Sequence, residues 1–223
     1  QVFTETGTFF ANTDAFFHKW LHDMRDTQSE TGAYPGVAPF AQYGAGDGNG
    51  HGDMMRVGWA DAGIIVPWTV WKQFGDNKIV DESWESMEKF MNHVNETKYD
   101  HTTLKDENSN YQWADWLSYE PLESCSGKQY QDGNLKPEAL DYWNYLCASY
   151  WLIDAGMMRD MAQATGRDVQ KYETMVSEAK KYLQTQFLNQ DGTFKTEILN
   201  TMQTPALFAL KNKLFEGEAK EAI

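Results

Sequence analysis

Gly58-Trp-Ala-Asp-Ala-Gly-Ile-Ile-Val-Pro-Trp-Thr-Val-Trp-Lys-Gln-Phe-Gly-Asp76 is the stretch that decides the fold. From Ala60 to Phe74 the spacing predicts a helix that is apolar nearly all round, with Ile64, Ile65, Val66, Trp68, Val70 and Trp71 leaving it no polar face. Such a helix has to be enclosed by other elements. Pro67 either bends it or falls in its first turns. Gly75 can end it in the left-handed conformation, and Asp76 is placed to cap a helix that follows at once. This junction is the chemistry of a tight helical hairpin, and it recurs at Gly166-Arg-Asp168.

Working outward, helical periodicity dominates and no strict two-residue alternation persists. Phe16, Phe17, Trp20, Leu21 and Met24 define an amphipathic helix from Thr13 to Thr27, behind an Asn12 or Thr13 cap. Further helices are expected from about Asp81 to Thr97, Pro137 to Thr165, Asp168 to Leu188 and Thr201 to Leu214. The fold class is therefore all-α, a series of antiparallel helix pairs with strands confined to short pieces in loops. Three connections exceed ordinary helix-to-helix loops: about Gln28 to Gly58, Lys98 to Ser118 continuing to Lys136, and Asn189 to Asn200. Short hairpin junctions alternate with these long joins, so one rim of the array carries nearly all the loop material, and function is expected there.

The composition excludes whole classes of partner. Nineteen Lys plus Arg stand against 33 Asp plus Glu, a net charge of −14 that repels phosphate backbones and anionic lipid headgroups. Nucleic acid and membrane surfaces are not expected partners. The longest apolar run, Gly63 to Trp71, is about half of what a membrane span needs. With 223 residues and 14% aromatics the chain can bury a core without staples, and its two cysteines, Cys125 and Cys147, make neither a disulfide framework nor a metal cluster.

The long loops hold the unusual chemistry. Trp59-Ala-Asp61 closes the first and Trp113-Ala-Asp115-Trp116 lies in the second, so a Trp-Ala-Asp triplet occurs twice in the same kind of place. An indole stacks on the apolar face of a pyranose while a neighbouring carboxylate accepts from its hydroxyls, which suits a sugar. The plainer alternative is that each Trp packs beneath its own loop and each Asp caps the next helix. Other motifs carry less. His18 and His22 have zinc spacing, but Lys19 stands where a zinc protease has its Glu, and no third ligand is evident; no metal site is expected. Asp47-Gly-Asn-Gly-His-Gly52-Asp53 imitates a calcium loop but has His51 at the fifth position and Gly58 at the twelfth. Asn95-Glu-Thr97 fits a glycosylation acceptor.

An ordered series of segments resembles the catalytic domain of bacterial α-L-rhamnosidases. It comprises Gln1-Val-Phe, Asp14-Ala-Phe-Phe-x-Lys-Trp-Leu-x-Asp-x-Arg-Asp-x-Gln28, the Pro35 to Pro39 stretch, Gly58 to Trp68, Phe74-Gly-Asp76, Trp113-Ala-Asp-Trp-Leu117 and Gln203-Thr-x-Ala206. The resemblance covers essentially the whole chain and implies an α/α six-barrel, of which residues 1–223 form about half as one incomplete domain. It implies a glycoside hydrolase that releases terminal α-L-rhamnose with inversion: one carboxylic acid protonates the leaving oxygen while a carboxylate roughly 6.5–9.5 Å away activates water. No cofactor is implied. The family's acid lies in an Asp-x-x-Arg-x-Glu segment expected upstream of Gln1, and its base on a loop expected beyond Leu214, so no catalytic residue is assigned within the chain. By matching position, Trp59 and Trp116 form a sugar-binding wall, with Asp61 and Asp115 as groups that hold the indoles. The expected partner is a rhamnose-containing carbohydrate. Self-association is expected through faces left uncovered by the absent barrel helices, and family habit favours the periplasm or exterior over the cytoplasm. Within enzymes the alternative is another α/α-barrel glycosidase or a polysaccharide lyase; outside them it is a non-catalytic carbohydrate-binding helical domain.

Overall fold

A computed structural model describes residues 1–39, 57–97, 130–131, 134–135 and 137–215. Among the described residues, eight helices run in the order α1 (Thr4–Phe10), α2 (Asp14–Asp26), α3 (Ala62–Phe74), α4 (Asn77–Thr97), α5 (Pro137–Thr165), α6 (Gln170–Phe187), α7 (Glu197–Thr201) and α8 (Gln203–Lys211). Among the described residues, strand is limited to β1 (Tyr130–Gln131) paired antiparallel with β2 (Asn134–Leu135), and to an isolated bridge between Leu188 and Phe194. None of these helices is long and apolar enough to cross a membrane.

α3 stands where its sequence requires, with α1, α2, α4 and α5 packed around it. Ile64, Val66 and Val70 are fully buried, each gaining about 1.5–3 kcal/mol relative to exposure. Pro67 lies inside the helix rather than at its start, and Thr69 returns a hydrogen bond from Oγ1 to the Ile65 carbonyl at 2.7 Å. Gly75, at φ 69°, ends α3 as expected. The Asp76 carboxylate then accepts the Lys78 N–H at 2.8 Å, so α4 starts at Asn77 rather than at the expected Asp81, and its first turn already buries Ile79 and Val80. The second hairpin repeats the device: Gly166 has φ 71°, and Asp168 accepts from the Gln170 N–H at 2.9 Å.

The two hairpins are bound to each other at the rim that carries these turns. Arg167 pairs with Asp81 at 2.7 Å while its guanidinium lies 4.6 Å over the Trp84 ring, and the Tyr172 hydroxyl donates to Glu88 at 3.1 Å. On the other side of α5, the Tyr145 hydroxyl donates to the Pro205 carbonyl at 2.9 Å, and its ring meets Phe187 and Phe194 edge-on.

Two short helices depart from the sequence expectation. α1 has too few residues to show a period, and Phe3, Phe9 and Phe10 at the amino end are exposed. The helix expected from Thr201 to Leu214 is α8 alone, whereas α7 lies largely in the stretch expected to be a connection; an extended Met202 separates the two, because Pro205 has no N–H to give to Thr201 and a new helix starts at Gln203. Asn200 secures the break by pairing with both backbone groups of Phe194.

The segment after α2 is laced onto α3 and α4. The Tyr34 hydroxyl lies 2.6 Å from Ser86 Oγ, Ser86 donates to Gln28, and Gln28 donates to the carbonyls of Gly32 and Ser86. The Tyr34 ring lies on Gly63 so closely that a Cβ there would stand 2.2 Å from ring atom Cε2. Gly63→Ala is therefore expected to cost about 1–3 kcal/mol by overpacking, read as a lower urea midpoint. An unchanged midpoint would mean that Tyr34 turns aside freely and does not lock this segment.

Candidate sugar-binding turn and the opposite charged rim

Residues 57–61 form a tight turn at the head of α3, and its conformation is imposed by local chemistry. Gly58 has φ 82°, where a side chain costs about 1–2 kcal/mol. Its N–H donates to Asp61 Oδ2 at 2.6 Å and its carbonyl accepts from the Gln1 side-chain amide, so Gly58 is held on both sides. Val57 and Ala60 are fully buried, whereas Trp59 keeps partial exposure between them. The turn thus has buried flanks and one partly exposed tryptophan at the head of α3.

Asp61 has no solvent exposure. It occupies the N-cap position but makes no side-chain capping bond to α3; its carboxylate turns back to the preceding loop instead. Its burial leaves it no open face for sugar hydroxyls. Asp115, Trp116 and Trp113 lie outside the described residues, as do the Gly44 to Asp53 loop and Cys125. Beneath the turn lies a residue that sequence reading missed. Asp154 of α5 is fully buried, and its signal is that it alone is charged from Leu146 to Met158.

A family model described as the bacterial alpha-L-rhamnosidase 6 hairpin glycosidase domain matches residues 1–223. The chain belongs to this family. Similar curated proteins include an alpha-L-rhamnosidase of Streptomyces avermitilis, 26% identical over 195 residues, and one of Formosa agariphila, 26% identical over 223 residues. These alignments cover 87% and 99% of this chain but only 16% and 21% of those relatives. The chain therefore spans about a fifth of their length. Among solved structures, the S. avermitilis alpha-L-rhamnosidase complexed with L-rhamnose superposes with a TM-score of 0.68 at 22% identity, covering 94% of this chain and 17% of that one. The Aspergillus terreus enzyme gives 0.65 at 20% identity, covering 94% and 22%. These likenesses establish the helical-hairpin architecture of an α/α barrel.

The far end of α3 carries different chemistry. An open cleft of about 700 Å³ is lined there by Asp14, His18, Asp76, Lys78 and Glu82, with Lys19, His22 and Arg25 at its side. Asp14, His18 and Asp76 bring ligand atoms within 4.8 Å of one another. Both ring nitrogens of His18 are engaged, Nδ1 with Glu82 at 2.7 Å and Nε2 with Asp76 at 2.9 Å. With a carboxylate on each nitrogen, the ring in its imidazolium form donates to both and acts as an ion-pair clamp tying α2 to the α3–α4 turn. His22 has a separate partner, Asp26, at 3.0 Å. Burial alone would lower the His18 pKa, but the hydrogen bonds to Asp76 and Glu82 and the nearby charges of Glu82 and Asp14 outweigh it and hold it above 6.5. Burial likewise pushes Asp76 and Glu82 up, and His18 and Lys78 more than reverse it, leaving both carboxyls below their usual 3.8 and 4.5.

The sign of the pH effect follows. The His18 contribution is complete below pH 6.5 and is lost as pH rises through its raised value; the carboxylate contributions are complete above pH 4.5 and are lost as pH falls through their lowered values. The difference in thermal midpoint between the unaltered chain and His18→Ala is thus expected to be widest between pH 4.5 and 6.5 and to shrink on both sides and with added salt. A difference independent of pH would mean that His18 contributes packing alone.

Proposed function

We propose that the chain is part of a glycoside hydrolase that releases terminal α-L-rhamnose from glycosides or plant polysaccharides, and that its share of the work is to bind the sugar. Membership of the rhamnosidase six-hairpin family carries this reading. The complex of the S. avermitilis relative with L-rhamnose supports the choice of sugar. The turn supports Trp59 as one stacking face, with Trp116 proposed as the second by its place in the Trp-Ala-Asp-Trp segment. Asp61 and Asp115 are assigned to holding these indoles. The proton donor and the water-activating carboxylate of an inverting pair are assigned to other parts of the full-length protein, so the mechanism within residues 1–223 is orientation: an indole plane excludes water from one face of the ring and fixes the anomeric bond for attack.

Two expectations follow. The 223-residue chain alone is expected to give no turnover of an aryl α-L-rhamnoside, because no proton donor is assigned to it. In the full-length protein, Trp59→Ala is expected to raise KM by about two- to tenfold through loss of about 0.5–1.5 kcal/mol of stacking, with the thermal midpoint nearly retained. Steady-state kinetics and a melting curve on the same preparation check both. A large fall in midpoint with unchanged kinetics would make Trp59 a packing residue, and turnover by the isolated chain would place catalysis within it.

A further inference from the structure

The turn that presents Trp59 rests on a second carboxyl group. Asp154, midway along α5, has no solvent exposure, and no donor group meets either of its side-chain oxygens. The group that acts on it is Asp61, equally buried, across the packing of α3 on α5. Two ionised carboxylates in one buried place repel each other while both lose their hydration, which favours a proton on one of them. Asp61 already accepts the Gly58 N–H at 2.6 Å, which favours its ionised form, whereas Asp154 receives no donor. The proton therefore sits on Asp154. Among the described residues, the charged groups that act on Asp154 are Asp61 from the head of α3 and Lys211 from α8. Burial first, then the charge and contact of Asp61, hold the Asp154 carboxyl well above the ordinary carboxylate range, and Lys211 opposes them without prevailing.

We propose that Asp154 is a positioning residue for the sugar-facing tryptophan: as a carboxylic acid it donates its proton to the Asp61 carboxylate, which holds the Gly58 N–H and so fixes the turn that carries Trp59. The proposal rests on the reading of Trp59 as a sugar-stacking face. It gives Asp61 a donor on each side, one from the backbone in front and one from α5 behind. It also accounts for a lone acid in an otherwise uncharged stretch, because a neutral carboxylic acid is tolerated in an interior where a carboxylate is not.

The test uses the full-length protein in three forms: unaltered, Asp154→Asn, which keeps a side-chain donor, and Asp154→Leu, which keeps the volume without one. Infrared difference spectra at neutral pH are expected to show a protonated carboxylic acid in the unaltered protein that is missing from Asp154→Asn. KM for an aryl α-L-rhamnoside is expected to rise by about two- to tenfold in Asp154→Leu, no more than the stacking itself contributes, with kcat nearly unchanged, and to return towards the unaltered value in Asp154→Asn. Absence of the acid band, or a folded Asp154→Leu with unaltered KM, overturns the proposal. If Asp154→Leu does not fold, Asp154→Asn decides: a KM near the unaltered value supports the donor role, and a KM as high as that of Trp59→Ala overturns it. An unaltered protein inactive on rhamnosides contradicts only the functional reading, since the infrared band still reports the proton.

Discussion

An α-helix with no polar face has to be surrounded, and α3 meets that requirement in a way that organises everything else. Its side chains face α1, α2, α4 and α5, so the first two helices, the hairpin partner and the longest helix are all placed by one need to remove Ile64, Val66, Val70 and their neighbours from water. The enclosure is also steric. Gly63 leaves room for the Tyr34 ring, and the Tyr34–Ser86–Gln28 hydrogen bonds carry that contact from the post-α2 segment to α4. A buried network of this kind is satisfied at every member or not worth having, which gives the packing a single solution.

The two ends of α3 are consequently held by different forces. At its C-terminal end the chain turns at once, and charged groups do the joining: His18 between Asp76 and Glu82, and Arg167 against Asp81 and Trp84. These contacts are partly exposed and respond to pH and salt. At the N-terminal end the long connections arrive, and the turn at Gly58 is fixed from beneath by buried groups that solvent does not screen. A binding surface profits from the second arrangement. In the proposed role of Trp59, an indole on a backbone already held by hydrogen bonds loses little freedom when it stacks on a sugar.

How much of this was legible in the sequence depended on the length over which a pattern ran. α5 was readable to the residue, because Pro137 marks its start and Gly166 follows its last residue. α4 starts four residues earlier than its sequence pattern indicates, since the buried Ile79 and Val80 of its first turn are adjacent and show no helical spacing by themselves, and the start is marked by the Asp76 cap. α1 and α7, of 7 and 5 residues, fall below the span at which a helical period emerges. At the candidate site, Trp59 and Asp61 stood out because an aromatic–acid pair in a loop is unusual, yet the partner of Asp61 did not. Asp154 lies 93 positions away, and only the crossing of α3 on α5 brings the two carboxyl groups together. Sequence spacing carries no trace of such a contact; the trace it did leave was chemical, a single acid in an apolar run.

The sugar-binding role proposed for the Gly58–Asp61 turn is tested most directly by observing the indole itself. In the full-length protein with tryptophan ring nitrogens labelled for NMR, the Trp59 indole resonance, assigned by its loss in Trp59→Phe, is followed through a titration with L-rhamnose. The expected result is a saturable shift of the Trp59 signal whose midpoint agrees with the binding constant measured by calorimetry. Saturable binding by calorimetry with the Trp59 resonance unmoved would contradict it, because the sugar would then be held without touching this turn.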